Sequence, residues 1–216
     1  NFFISTHPDE VSAKNKNVNY YFLPTPVDRN IEKLNIYNNK NFIHDVFFAM
    51  SHGVNRGNIK SGKIDEREFF IRKLLQQNKN IKFDIYGYNQ RNPVWSENFY
   101  KAISNSSMAI NINRGKSKKY SSSNRIGSLM GNGLLTFMDN KKQFDHFFNN
   151  NEMIFFDNTS DLTDKLNFYK NNETTRKKIA KSGQKKYFKL FNCEDVAKYI
   201  IEKSMNPDSN YKPSWE

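Results

Sequence analysis

Apolar residues along the chain fall into short runs closed by turn formers, and these runs alternate with stretches of near-helical spacing. Residues 1–6, 19–23, 44–50, 81–86, 108–113, 134–138 and 153–156 read as strands. Val46, Phe47, Phe48 and Ala49 are continuous rather than alternating, which suits a strand buried on both faces, as in a parallel sheet. In 108–113 the residues Ala109, Ile110 and Ile112 are expected to point inward. Between the runs, 65–78 carries Phe69, Phe70, Leu74 and Leu75 near helical spacing, with Asp65 as the N-cap. Further helices are predicted over 96–104, 126–131, 143–148, 161–169, 174–188 and 194–205, with Thr159 or Ser160 capping the fourth. Residues 211–216, with Pro213 and Trp215, show no periodicity. Strand and helix in alternation predict an α/β fold on a parallel sheet with right-handed crossovers.

In such a sheet the carboxyl ends of the strands lie side by side, and ligands bind in the crevice beyond them. The loops over 51–63, 87–93 and 114–124 leave strand ends and should converge there. Gly53 and Arg56 sit in the first, Tyr88 in the second as a candidate to stack on a base, and Asn113, Arg114 and Lys119 along the third. The centre of the site is expected in the stretch from Lys119 to Asp139. A cationic lead-in is followed by Ser122, Ser123 or Asn124 as a helix cap, then Arg125, a short apolar helix, Gly131-Asn-Gly133 and a strand. A helix start exposes unpaired N–H groups and a partial positive charge, and a guanidinium grips phosphate oxygens in two places. Arg114 and Arg125 are therefore assigned to an anion, with Ser122 and Asn124 as hydrogen-bonding partners. Plainer roles compete: a capped helix, a solvated charged loop at Arg56, a structural salt bridge at Arg125, core packing at Tyr88.

Composition narrows the chemistry. The 216 residues carry a net charge of +12, which draws nucleic acid, anionic lipid or phosphorylated substrates without saying which. A single cysteine, Cys193, precludes an internal disulfide and fits a reducing compartment. No apolar run reaches the ~20 residues needed to cross a bilayer, so a cytoplasmic location is expected. The first residue is Asn1 and a strand begins at once, so the chain is expected to be a fragment or a domain. There is no Asp-x-Asp triplet, His/Cys cluster or ligand spacing for a metal, and no dinucleotide fingerprint or P-loop. Neither a metal nor a cofactor is expected. The basic charge with interleaved aromatics keeps a nucleic-acid-binding α/β module as the alternative, although helix-turn-helix, RNA-binding and zinc-knuckle patterns are missing and no nucleic-acid partner is expected.

Several blocks resemble one family in its order. They are Phe22-Leu-Pro-Thr-Pro-Val-Asp28, Tyr86-Gly-Tyr88, Tyr120-Ser-Ser-Ser-Asn-Arg-Ile126, Met130-Gly-Asn-Gly-Leu-Leu-Thr-Phe137, Asn151-Glu-Met-Ile-Phe-Phe-Asp157, Asp161-Leu-Thr-Asp-Lys-Leu166, Arg176-Lys-Lys-Ile-Ala-Lys-Ser-Gly183 and Phe191-Asn192. Together they are similar to the nucleotide-sugar half of GT-B glycosyltransferases, the family-1-like, spore-maturation-type group above all. The resemblance implies the carboxyl half of a GT-B fold: a Rossmann-like parallel sheet with helices on both faces. It implies a strand and interdomain linker over 1–28, a donor-binding domain over 29–205, and a tail over 206–216. It also implies transfer of a sugar from a nucleotide-sugar to a glycan, lipid or protein, with a catalytic base supplied in inverting members by an N-terminal acceptor domain. Related families carry a ribose-binding glutamate where this chain has Ser128, and a second acidic residue near the position of Tyr120. Glu152 is then the nearest acidic candidate for the ribose, with a strand-flanking polar residue as its plainer role. Contact with an anionic membrane is a further expected partner of the basic surface.

Overall fold

The computed structural model describes residues 2–5, 19–51, 65–114, 118–206 and 209–216. β1 (Phe2–Ser5) and β2 (Asn19–Phe22) pair in parallel as a two-stranded sheet of their own. The main sheet has five strands, β3 (His44–Ala49), β4 (Phe83–Tyr86), β5 (Ser106–Asn111), β6 (Leu135–Asp139) and β7 (Ile154–Phe156). Every neighbouring pair is parallel, in the order β4-β3-β5-β6-β7. The helices are α1 (Glu66–Gln77), α2 (Ser96–Ser104), α3 (Arg125–Gly131), α4 (Thr159–Asn171), α5 (Glu173–Leu190) and α6 (Cys193–Met205).

The continuous apolar run in β3 has a direct physical cause. Side chains alternate between the faces of a strand. Val46 and Phe48 accordingly enter the cluster formed with Ile71 and Leu74 of α1 and Leu162 and Leu166 of α4. Phe47 and Ala49 enter the cluster formed with Ala102 and Ile103 of α2 and Leu129 of α3. β5, the middle strand, is buried at all of its positions. Full burial of one such side chain contributes roughly 1.5–3 kcal/mol. A third, largely aromatic cluster joins Val27, Phe147, Tyr187, Phe191, Tyr199 and Trp215 with Met138 of β6 and Phe155 of β7.

Residues 27–38 are stitched to this body. Val27 pairs with Asn192, its N–H donating to Phe191 O at 2.9 Å while Cys193 N donates to Val27 O at 2.9 Å. Leu34 N donates to Asn132 Oδ1 at 3.1 Å, and Ile36 N to Asn132 O at 2.8 Å.

Several local expectations change. Asp65 does cap α1, accepting from Arg67 N at 3.0 Å. The helix expected over 143–148 is instead two 3-10 turns, Asn140–Lys142 and Phe144–His146. They are broken at Gln143, whose φ of 54° is left-handed and cannot continue a right-handed helix. α4 starts at Thr159, and its cap is Asn158, whose side chain accepts from Ser160 N at 2.9 Å and Asp161 N at 3.1 Å. Ile112 lies past the end of β5 rather than within it. The tail without periodicity is docked: Trp215 is buried edge-on to Tyr199 at 5.2 Å, and Asp195 accepts from Ser214 N at 2.8 Å and from the Tyr211 hydroxyl.

The approach of α5 to the loop before β7 depends on Gly183, where a Cβ would lie 2.0 Å from Glu152 O and 2.9 Å from Met130 Cε. Replacing an exposed helix-interior glycine by alanine gains roughly 1 kcal/mol. Gly183→Ala is expected to reverse that sign and lose about 1–3 kcal/mol through overpacking. Urea unfolding midpoints check it, and a raised midpoint would show that α5 can stand off from this loop at no cost.

Candidate functional site

β4 lies on one side of β3 and β5 on the other, although the chain visits them in sequence, so the winding direction reverses between β3 and β5. Crossovers on either side of such a point leave for opposite faces and open a crevice at the carboxyl ends. A cavity of about 300 Å³ lies there. Its walls are Ala49, Met50 and Ser51 from the end of β3, the loop from Pro93 to Ser96, Phe99 and Tyr100 of α2, and Asn124, Arg125 and Ser128 of α3. Ser96 is held at φ 51°, a left-handed conformation that costs of order 1–3 kcal/mol and that clusters at ligand sites.

Arg125 dominates the electrostatics. Its Nη2 donates to Ile112 O at 2.7 Å, and its guanidinium carbon lies 5.3 Å from the Phe48 ring centroid. Its Nε is buried without a hydrogen-bond partner, and no carboxylate pairs with it among the described residues. Desolvation first, and the neighbouring Arg67 cation second, lower its pKa to about 9. Arg67 is itself buried but balanced, with Nε and Nη2 donating to the two Asp65 oxygens at 2.8 and 2.6 Å and Nη2 also to Ser51 O at 3.0 Å. At the end of β5, Asn111 is 1% exposed and neither its amide nitrogen nor its oxygen has a partner among the described residues. Of these groups Arg125 lines the cavity, and a cation without a counter-charge there is one that an anionic ligand would satisfy, whereas Asn111 is not among the lining residues.

The sequence-predicted residues divide. Arg114 leaves the end of β5 two positions after Ile112, so it is on the same sheet edge as Arg125, and it is exposed. Asn113 donates to Ser121 Oγ at 3.3 Å and borders a neighbouring cavity of about 270 Å³, shared with Arg67 and Lys142. Lys119 is exposed, its ammonium 4.8 Å from the Tyr120 ring centroid. Asn124 occupies the N-cap position and lines the main cavity, but its side chain makes no capping bond; Ser123 Oγ takes Arg125 N at a long 3.4 Å. Ser122 is half-buried in the preceding turn and does not line the cavity. Gly53 and Arg56 lie outside the described residues.

Two of the expected residues stand apart from the main cavity. Tyr88 closes a turn with Arg91, and its ring packs against the cluster on the α1 side of the sheet instead of lining the cavity. Glu152 precedes β7, which places it at the amino edge of a parallel sheet, opposite the crevice. There its carboxylate accepts from Asn149 N at 3.0 Å and closes a turn. Residues unmarked by local sequence also enter the site: Arg67 reads as the polar face of a helix, and Trp95 and Tyr100 as ordinary positions around α2. Pro93 beside Trp95 at a strand's carboxyl end was the available signal for Trp95.

The family profile described as glycosyl transferase-like matches residues 66–202. No curated protein matches the sequence. Among solved structures, sucrose-phosphate synthase from Thermosynechococcus elongatus is similar with a TM-score of 0.61 and 13% identity, covering 96% of this chain and 59% of that one. Anabaena HepE in complex with UDP and glucose has a TM-score of 0.58 at 10% identity, covering 94% of this chain and 62% of that one. A glycosyltransferase from Rickettsia africae ESF-5 has a TM-score of 0.58 at 11% identity, covering 95% and 64% respectively. The fold is GT-B-like, and the chain spans less than two thirds of the length of each of these structures.

An unbalanced cation should cost the empty protein stability rather than supply it. Arg125→Met gives up one hydrogen bond to Ile112 O, worth roughly 1.5–3 kcal/mol, and removes the repulsion from Arg67 and the buried, unpartnered Nε. Urea unfolding in phosphate-free buffer is expected to place the variant within about 1 kcal/mol of the wild type or above it. A loss beyond about 3 kcal/mol would mark Arg125 as a structural member of the core.

Proposed function

Because the chain belongs to the glycosyl transferase-like family, we propose that it is the donor-binding part of a glycosyltransferase and holds a nucleotide-sugar by its diphosphate. The single observation that carries this reading is Arg125, which lines a cavity at the sheet's reversal point and has no counter-charge among the described residues. The pyrophosphate takes the guanidinium, with Asn124 and Arg114 as further contacts. Negative charge grows on the leaving phosphate as the sugar's anomeric bond breaks, and preorganised donors stabilise it without reorganisation. Val94, Trp95 and Phe99 offer an apolar wall for the nucleoside.

The sugar then passes to a glycan, lipid or protein acceptor, with the acceptor and any catalytic base held by a further domain. The motif order through Arg125, Gly131-Asn-Gly133 and Gly183 supports the finer assignment to the family-1-like, spore-maturation-type group. Charge neutralisation by Arg125 and Arg114 is the chemistry a metal would otherwise supply, so the donor is held without one. A nucleotide-sugar substrate and a lone thiol at Cys193 suit the cytoplasm, and the charge of +12 suits an acceptor on an anionic membrane.

The test is a thermal-shift panel of UDP, GDP, ADP and CDP with their sugar conjugates, beside a random oligonucleotide. A saturable shift with one base is expected, reaching about 2.7 kcal/mol at a hundredfold excess over Kd, and it should be lost in Arg125→Met. A flat nucleotide panel, or a salt-sensitive shift with the oligonucleotide alone, would overturn the assignment.

A further inference from the structure

A larger cavity, of about 550 Å³, is left unused by the donor-binding reading and lies beside the edge strand β4. Pro93, Val94 and Trp95 line both cavities, so this stretch of the loop between β4 and α2 is the wall between them. Beyond the wall the larger cavity takes Asn98, Lys101, Ala102 and Asn105. Their spacing, i, i+3, i+4 and i+7, makes one stripe of α2 and its C-cap, about 10 Å long. Phe99 and Tyr100 leave the same helix toward the crevice instead.

The charges lining this groove are balanced within the protein. Arg91 Nη1 donates to the buried Asp84 Oδ1 at 2.7 Å, and its guanidinium lies 3.7 Å from the Tyr86 ring centroid. Lys101 pairs with Glu97 at 2.8 Å, one turn back along α2. The amides are in the opposite condition: the side chains of Asn92, Asn98 and Asn105 make no hydrogen bond among the described residues. Trp95 is 47% exposed and occupies the N-cap of α2, where it makes no capping bond because an indole has no acceptor to offer. It is followed by the left-handed Ser96. The helix start therefore holds a large ring that neither caps the helix nor fills the core, at a position next to backbone strain of the kind that gathers at ligand sites.

These groups select a ligand by chemistry. A phosphate or carboxylate needs a cation with charge to offer, and Arg91 and Lys101 are already paired. An amide donates and accepts from one planar group, which matches neighbouring hydroxyls that do the same. An exposed aromatic face, negative at its centre, attracts the polarised C–H groups on one side of a pyranose ring. We propose that this groove binds a neutral oligosaccharide, with a sugar ring on Trp95 and hydroxyls on Asn92, Asn98 and Asn105. The site goes beyond the donor-binding reading and does not depend on it.

The experiment is an NMR titration of the nitrogen-15-labelled chain with maltotetraose, cellotetraose, chitotetraose and mannotetraose. At least one sugar should shift the Trp95 indole N–H and the Asn92 and Asn98 side-chain amides saturably. Asn98→Ala, an exposed helix position, should weaken that sugar about fivefold, and Trp95→Ala about tenfold or more. Raising the salt to about 0.5 M should leave the affinity unchanged, because no unpaired charge takes part. Asn98→Ala should also keep the wild-type response to nucleotides, which separates the two cavities. No response to any of the four sugars, shifts confined to Met50, Asn124 and Ser128, affinity that survives both substitutions, or binding that salt abolishes would each overturn the proposal and leave the donor reading as it was.

Discussion

Strands buried on both faces leave polar groups one exit, the strand ends, and the winding of the chain decides which end is usable. In β5 no position is exposed, and the faces of β3 are divided between two apolar clusters. At the amino edge the charges are settled locally: Asp45 Oδ2 accepts from Lys170 Nζ at 2.8 Å and from Lys82 N at 2.8 Å. At the carboxyl edge, where the winding reverses, the account is left open at Arg125 and Asn111. The amino edge has orphaned groups of its own in His44 Nδ1 and Ser106 Oγ, so what distinguishes the carboxyl edge is a guanidinium with no carboxylate partner among the described residues.

The elements were legible because their causes are local. The run 46–49 could only be a two-faced strand, and Asp65 before an apolar helix is a cap by simple stereochemistry. The failures were local too. Phe144, Phe147 and Phe148 have helical spacing, yet they enter an aromatic cluster from a tight turn that the left-handed Gln143, just before them, separates from the turn over Asn140–Lys142. Asn158 caps α4 where the hydroxyls of Thr159 and Ser160 were expected to, since asparagine caps at least as well. Glu152 is the more instructive case: the rule that gathers the loops after parallel strands at one edge also sends residues before a strand to the other edge, so its place away from the cavity was legible in the sequence. The hydrogen bond from the Tyr100 hydroxyl to Glu32 Oε1, at 3.3 Å, was not. The two residues come from separate segments, and Glu32 lies beside α3 only because a glycine there admits the chain.

The two arginines at the crevice differ in what the fold asks of them. Arg67 carries its own carboxylate two residues back and a carbonyl from β3's end, so its charge is spent inside the protein and it acts as a fixed wall. Arg125 has a carbonyl and an aromatic face but no counter-charge among the described residues. Pairing Arg67 with Asp65 keeps the mutual repulsion tolerable without extinguishing the field at the cavity. Had both been paired, the sheet edge would hold a closed salt-bridge network with little to offer an anion. Had neither been, two desolvated like charges would oppose folding.

The segment that supplies Glu32 also determines where α3 can lie. Leu34 N and Ile36 N are both bonded to Asn132 at the helix's end, and Tyr37 covers Gly133 while its hydroxyl donates to Gln184 Oε1 at 3.0 Å. α3 has seven residues and carries Arg125 at its first turn and Ser128 at its second, so it is too short to bend between them. Any displacement of residues 27–37 must therefore move the cation and the hydroxyl together, or break the Asn132 bonds. Arg125 and Ser128 are thus coupled through one rigid element, and residues 27–37 are in mechanical contact with the helix that lines the cavity.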